Sequence, residues 1–146
     1  PMARASGVPN DYRMADDDGA YRDLGFHPVL EQAGDCLARA KVRIGELYQS
    51  IDIILGALQN LPAGAIAASV RGVPPKGEFF TRVEQPRGEA IYYVKGNGTK
   101  NLERFRLRTP TNCNIAALVK MLQGCDLADV PNIILTIDPC ISCCER

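Results

Sequence analysis

The chain is short of several things, and each shortage narrows what it can do. Lysine plus arginine total 17 against 17 aspartates plus glutamates, so there is no global basic field to draw nucleic acid, and no nucleic-acid partner is expected. No apolar run approaches the roughly 18 residues that a membrane helix requires, and no secretory signal opens the chain. A soluble protein is therefore expected. His27 is the only histidine, which leaves any zinc site short of nitrogen ligands. Cysteines number 6, but Cys143 and Cys144 are adjacent and Cys36 is remote, a poor disulfide framework. A chain of 146 residues with 46% apolar content can build a modest core without such staples, which fits a reducing cytoplasm.

What is present is concentrated in the last nine residues, Asp138-Pro139-Cys140-Ile141-Ser142-Cys143-Cys144-Glu145-Arg146. A Cys-x-x-Cys pair brings two thiols close enough to grip one ion, and thiolates suit soft transition metals. Asp138 and Pro139 restrict how the chain enters the pair, because the residue before a proline is pushed away from helical geometry. Three other readings stay open on these residues alone: inert core cysteines, a reducible disulfide between Cys140 and Cys143, and half of a zinc site. Cys113, Cys125 and Cys144 show no paired spacing.

The rest of the chain reads as scaffold. Residues 1–33, rich in Gly, Pro and Asp without a sustained period, read as an extended arm, with Asp16-Asp17-Asp18 as a solvated turn. From Asp35, a plausible N-cap, apolar residues from Leu37 to Leu58 recur at three-and-four spacing, which predicts a core scaffold helix of about 25 residues and about 37 Å. Residues 63–88 carry too many Gly and Pro for a long regular element. A hairpin follows: Ala90–Val94, a turn at Gly96–Thr99, and Phe105–Arg108, with Phe105 and Leu107 on one face and Arg106 and Arg108 on the other. Thr111 or Asn112 is a good N-cap for a helix starting near Asn114 and closed by Gly124. Periodicity cannot assign the run Ile133–Ile137, which is apolar enough to be buried and to deliver Cys140 into the interior. Its β-branched residues favour a strand, while the family resemblance given below favours a short helix with Asp129 as cap and Pro131 in its first turn, which is the assignment adopted. The expected class is α+β, mainly helical: 1–33 an arm, 34–146 a helical core with a hairpin.

The terminal motif resembles the carboxy-terminal signature of nickel-iron hydrogenase large subunits, Asp-Pro-Cys-x-x-Cys followed closely by a His or Arg at which the precursor is trimmed. Arg146 stands at that position. Three further words in the same order are similar to the family's: Arg4-Ala5-Ser6-Gly7 with Tyr21-Arg22-Asp23-Leu24, then Pro86-Arg87-Gly88, then Pro110-Thr111. They resemble the energy-converting, membrane-associated group, which is related to the quinone-site large subunit of respiratory complex I. The resemblance implies that Cys140 is a terminal nickel ligand and proton acceptor, and that Cys143 bridges nickel and iron. It also implies that Arg87 extends over the open face of the metal pair, and that Thr111, with Pro110 and Asp138, sits beside cyanide and carbon monoxide ligands on iron.

By the same resemblance, the partners are the amino-terminal part of the same subunit with a second Cys-x-x-Cys, an iron-sulfur small subunit, membrane subunits, and a maturation endopeptidase acting after Arg146. The place is the cytoplasmic face of a membrane, held peripherally. Position 1 is Pro and the second Cys-x-x-Cys is not in the chain, so the expectation is a carboxy-terminal part, inactive by itself and prone to self-association. No magnesium is expected, since Arg146 stands where other groups have histidine. A quinone-site subunit and a non-catalytic thiol or zinc module are the alternatives.

Overall fold

The longest element is a helix, α3 (Cys36–Gln59), introduced by two short helices in the arm, α1 (Met2–Ala5) and α2 (Tyr12–Ala15). The computed structural model describes residues 1–15, 20–69, 72–73 and 75–145. Asp16-Asp17-Asp18 and Arg146 lie outside them. Asp35 caps α3 as expected, its carboxylate accepting the Ala38 N–H at 2.7 Å, which satisfies one of the first-turn donors that no helix can satisfy internally.

The predicted apolar stripe of α3 is not the one the chain buries. Ala38, Arg39 and Val42 are buried, Ala38 and Val42 packing with Ala5 of the arm. Further along the same side, a Cβ on Gly45 would sit 2.8 Å from Val29, and one on Gly56 would sit 3.4 Å from Leu24. Small residues thus let the arm lie close against this side. Leu37, Ile44, Leu47, Ile51, Ile54 and Leu58 face away and stay exposed. Periodicity located a stripe correctly; it could not say what covers it.

After α3 comes an antiparallel sheet in the order β1-β2-β3, formed by β1 (Lys76–Gln85), β2 (Gly88–Asn97) and β3 (Leu102–Arg108). The hairpin of β2 and β3 stands. β1 corrects the expectation for 63–88, because only Gly77, at its second position, lies inside the ten-residue strand and the other breakers fall outside it. β1 pairs with β2 from Lys76↔Asn97 to Gln85↔Gly88, so Pro86 and Arg87 form the tight connection. Gly96 is required by close approach, since a Cβ there would meet the Pro75 carbonyl oxygen at 2.3 Å. On β3 the alternation holds, although Phe105 remains 52% exposed.

Then come α4 (Pro110–Met121), a 3-10 turn (Leu127–Asp129), α5 (Val130–Ile137) and α6 (Ile141–Cys144). α4 starts four residues earlier than expected: Thr109 is its N-cap and Pro110 its first residue, where a fixed φ and a missing N–H cost nothing. Thr111 and Asn112 are inside the helix, and Leu122 takes the C-cap position ahead of Gly124. α5 is a helix with Asp129 at its N-cap and Pro131 in its first turn. Ile133 and Ile137 are buried while Leu135 is 70% exposed. The fold is α+β, helices around one small sheet.

Candidate metal-binding cysteine turn

α5 stops at Asp138, which adopts φ 52° and ψ 63° and is the only non-glycine residue of positive φ among those described. Asp tolerates this left-handed conformation better than most residues. The bend turns the chain out of the helix, and Pro139 carries it extended into Cys140, the N-cap of α6. Cys143 and Cys144 donate their N–H groups back to the Cys140 carbonyl at 3.1 and 3.2 Å. Cys143 is buried, as expected of a ligand inside the protein, whereas Cys140 is only partly so. The interior delivery expected for Cys140 is therefore corrected: the turn after Asp138 leaves Cys140 near the surface and carries Cys143 inside instead.

Three elements distant in sequence hold this turn. From α3, Arg39 is buried and donates to the Thr136 hydroxyl at 2.8 Å, to the Gly34 carbonyl at 2.9 Å and to the Cys36 sulfur at 2.9 Å. Arg43 donates to the Thr136 carbonyl at 3.0 Å and lies 3.8 Å from the Asp138 carboxylate. From the β1–β2 connection, Arg87 Nε donates to the Asp138 carbonyl at 3.0 Å and its Nη2 to the Asp138 carboxylate at 3.3 Å. From the start of α4, the Thr109 hydroxyl donates to the Cys143 carbonyl at 2.8 Å, and the Thr111 hydroxyl oxygen accepts the Cys140 N–H at 3.2 Å. Arg87, Thr111, Asp138, Cys140 and Cys143 are thus brought together, with Pro110 between the two threonines. Arg39, Arg43 and Thr109 went unseen in the sequence. Their bonds reach 97, 93 and 34 residues along the chain, mostly to groups that carry no side-chain signal; the buried polarity of Thr109 and Arg39 is what marks them here.

The thiols are free and their chemistry is unequal. The Ser142 hydroxyl, 3.0 Å from Cys140 Sγ, is the largest influence on that thiol. Assisted by the backbone N–H and thiol of Cys143 and by the charge of Arg87, it brings the Cys140 pKa down to about 7. Hydrogen bonds to the anion favour it over the neutral form. Cys140 is thus poised as a thiolate near neutrality, the form that binds metal. No group of three or more His, Cys, Asp or Glu side chains that could hold a metal occurs among the described residues. The donor set is two thiols on one turn: it fits half of a four-thiolate centre.

No helix among the described residues is long and apolar enough to cross a membrane. The model of the family described as respiratory-chain NADH dehydrogenase, 49 Kd subunit, matches residues 1–74 and 67–146. The chain is 42% identical over its whole length to a carbon monoxide-induced hydrogenase of Rhodospirillum rubrum and covers 40% of it. It is 38% identical to the membrane-bound hydrogenase subunit alpha of Pyrococcus furiosus, covering all of this chain and 38% of that one. An NADH-quinone oxidoreductase subunit of Dehalococcoides mccartyi is 38% identical over 94% of this chain and 38% of its own length. A solved structure of the membrane-bound sulfane sulfur reductase, an archaeal respiratory membrane complex, superposes with TM-score 0.86 at 32% identity, over 100% of this chain and 42% of that one.

The family match and these relatives place the chain, a helical fold around a small sheet, among the subunits of respiratory oxidoreductases. It belongs to the 49 kDa subunit family of respiratory-chain NADH dehydrogenases, whose relatives here include hydrogenase subunits. The chain spans about two fifths of the length of the relatives it matches.

Proposed function

We propose that this chain is the carboxy-terminal part of a nickel-iron hydrogenase large subunit and supplies Cys140 and Cys143 as two of four thiolate ligands. The observation that carries this is the turn itself: two thiols outside any disulfide, one with its pKa brought down to about 7, on a backbone fixed from both sides by Thr109 and Thr111. A nickel-iron centre with cyanide and carbon monoxide on iron would supply the redox chemistry that interconverts dihydrogen with protons and electrons. The chain's own residues do the rest. Cys140 Sγ accepts a proton, and the Ser142 hydroxyl beside it is the next polar atom on the way out. Arg87 keeps a fixed positive charge next to the turn, since a guanidinium stays protonated where an ammonium does not. Thr111 accepts the Cys140 N–H on its hydroxyl oxygen, and its hydroxyl hydrogen would remain available to donate to a diatomic ligand on iron.

In this reading the amino-terminal part of the subunit brings the second Cys-x-x-Cys. An iron-sulfur small subunit carries the electrons, membrane subunits anchor the assembly on the cytoplasmic face, and an endopeptidase trims after Arg146. The isolated chain, with half the ligands, turns over no dihydrogen.

The second reading, a quinone-site subunit, draws on the match to the NADH-quinone oxidoreductase of Dehalococcoides mccartyi; it gives the cysteines no task. The deciding experiment is Cys143→Ser in the complete subunit within its complex. Loss of both nickel and iron, with loss of dihydrogen oxidation, is expected, because a hydroxyl is a poor, barely ionised substitute for a bridging thiolate. Full metal content with turnover would overturn the proposal, and quinone reduction indifferent to Cys140→Ser and Cys143→Ser would install the second reading. Arg87→Lys should keep the metals and lower turnover.

A further inference from the structure

A helix leaves its last carbonyls without partners of its own, and α5 ends against the cysteine turn. The Asp138 N–H closes on the Leu135 carbonyl at 3.1 Å. In a continuing helix the next carbonyl, that of Thr136, would take the N–H four residues on, which belongs to Cys140. That N–H goes to the Thr111 hydroxyl oxygen instead, at 3.2 Å. Arg43 of α3 takes its place: Nε donates to the Thr136 carbonyl at 3.0 Å. One arginine thus stands in for the donor that the left-handed bend at Asp138 removes.

The same guanidinium reaches the Asp138 side chain. Its Nη1 lies 3.8 Å from Oδ2, while Arg87 Nη2 lies 3.3 Å from Oδ1, so two arginines from different elements divide one carboxylate. Arg87 Nε also donates to the Asp138 carbonyl. Both bonds of Arg87 therefore go to a single residue, and among the described residues its Nη1 has no protein partner. Where Arg87 points is decided by Asp138, and Asp138 is held by Arg43. The two arginines differ in footing: Arg43 follows the fully buried Val42 on a 24-residue helix, whereas Arg87 lies on a strand connection.

We propose that Arg43 is a positioning residue: by taking the Thr136 carbonyl and one oxygen of Asp138, it fixes the bend that aims the Arg87 guanidinium at the cysteine turn. A forked, planar cation can serve two acceptors at once, which a single ammonium on a flexible stem cannot. That the aimed guanidinium serves a nickel-iron centre rests on the function proposed above; that Arg43 sets its direction does not.

Two measurements test this, one in the complete subunit within its complex and one in this chain. In the complex, Arg43→Met should keep nickel and iron, because Thr109 and Thr111 still hold the cysteines. It should lower kcat about tenfold at unchanged KM, the cost of a misaimed group. The cyanide and carbon monoxide stretching bands should divide into two sets, reporting two placements of Arg87. In an Arg87→Lys background the same change should lower kcat by less than about twofold, since residues that act through one another do not add. Additive losses, or bands unchanged from the parent, overturn the proposal. In this chain, Arg43→Met should speed alkylation of the buried Cys143 about fivefold, the worth of one hydrogen bond, while Cys125, outside the turn, keeps its rate. Equal Cys143 rates overturn the proposal whatever the cysteines bind. A parent complex without nickel would sink the hydrogenase reading alone, and the alkylation rates would still decide Arg43. Should Arg43→Met fail to fold, Arg43→Lys, which reaches one acceptor but not both, is read in its place.

Discussion

Two polar clusters in this molecule are built on opposite plans. In the arm, Arg4 and Arg13 each contact both Asp11 and Glu46, at 3.1, 2.7, 2.7 and 3.2 Å, so four charges close into a ring and neutralise one another. Arg13 also lies over the Phe26 ring at 4.4 Å, and Tyr21 donates to Glu84 alongside. In the cysteine turn, arginines and threonines spend most of their bonds on backbone carbonyls and an amide, and among the described residues no cation hydrogen-bonds the Cys140 or Cys143 thiol, Arg87 acting on Cys140 only through its charge. The first plan consumes its reactive groups to join the arm to α3; the second consumes everything except them. A cavity of about 390 Å³ is lined by residues of both regions, Arg4 and Glu46 as well as Arg87 and Gly88.

If that contrast is right, the largest stability effect lies in the arm. Glu46→Ala should cost about 2 kcal/mol in urea unfolding, because it leaves two partly buried guanidiniums to share the single carboxylate of Asp11, and Arg4 Nε is already buried without a partner. A cost under about 0.5 kcal/mol would show that the ring is solvated. Thr109→Val should cost less, about 1–2 kcal/mol, yet it should speed alkylation of Cys143 while Thr109→Ser restores the slow rate. Equal cysteine reactivity in all three proteins would remove Thr109 from the clamp.

The pH dependence separates the clusters further. Burial pushes the Asp11 carboxyl up, but hydrogen bonds from Arg13 and the charges of Arg13 and Arg4 outweigh it, leaving the pKa below its ordinary value. A carboxylate depressed on folding adds stability above its unfolded pKa, near 3.9, and that stability is lost as pH falls through the folded value. Asp11→Asn should therefore be less stable than the parent above about pH 4 and converge with it below; parallel curves down to strong acid would refute this. Ser142→Ala has the smallest effect on stability. It should leave unfolding unchanged and move the pH midpoint of Cys140 alkylation up from about 7 toward the ordinary thiol value; a midpoint that stays in place would assign the depression to other groups.

Much of this was written in local signals. Asp35 before an apolar period announced α3, whereas the β-branched run of α5 favoured a strand by propensity and was read as helix through the family resemblance; Asp129 stands at its N-cap without a side-chain cap bond, and Pro131 sits in its first turn. β1 was hidden because Pro75 and Gly77 at one end and Pro86 and Gly88 at the other read as loop, although Phe79-Thr81-Val83 alternates as a strand should. α4 was entered late because Thr111 looks like a cap; Pro110 at the first helical position was the better signal. The paired cysteines, Arg87 and Thr111 were legible as a set, through a family resemblance. What grips them was not, since a hydrogen bond to a distant carbonyl leaves no trace in spacing.

The sheet has one more consequence. β1 and β3 each border solvent, and unpaired strand edges invite further strands to add, the first step toward insoluble fibres. Arg104, Arg106 and Arg108 line one border, while Lys76, Glu78, Arg82 and Glu84 punctuate the other. A strand arriving at either edge must desolvate charge to dock, a standard guard against edge-to-edge growth.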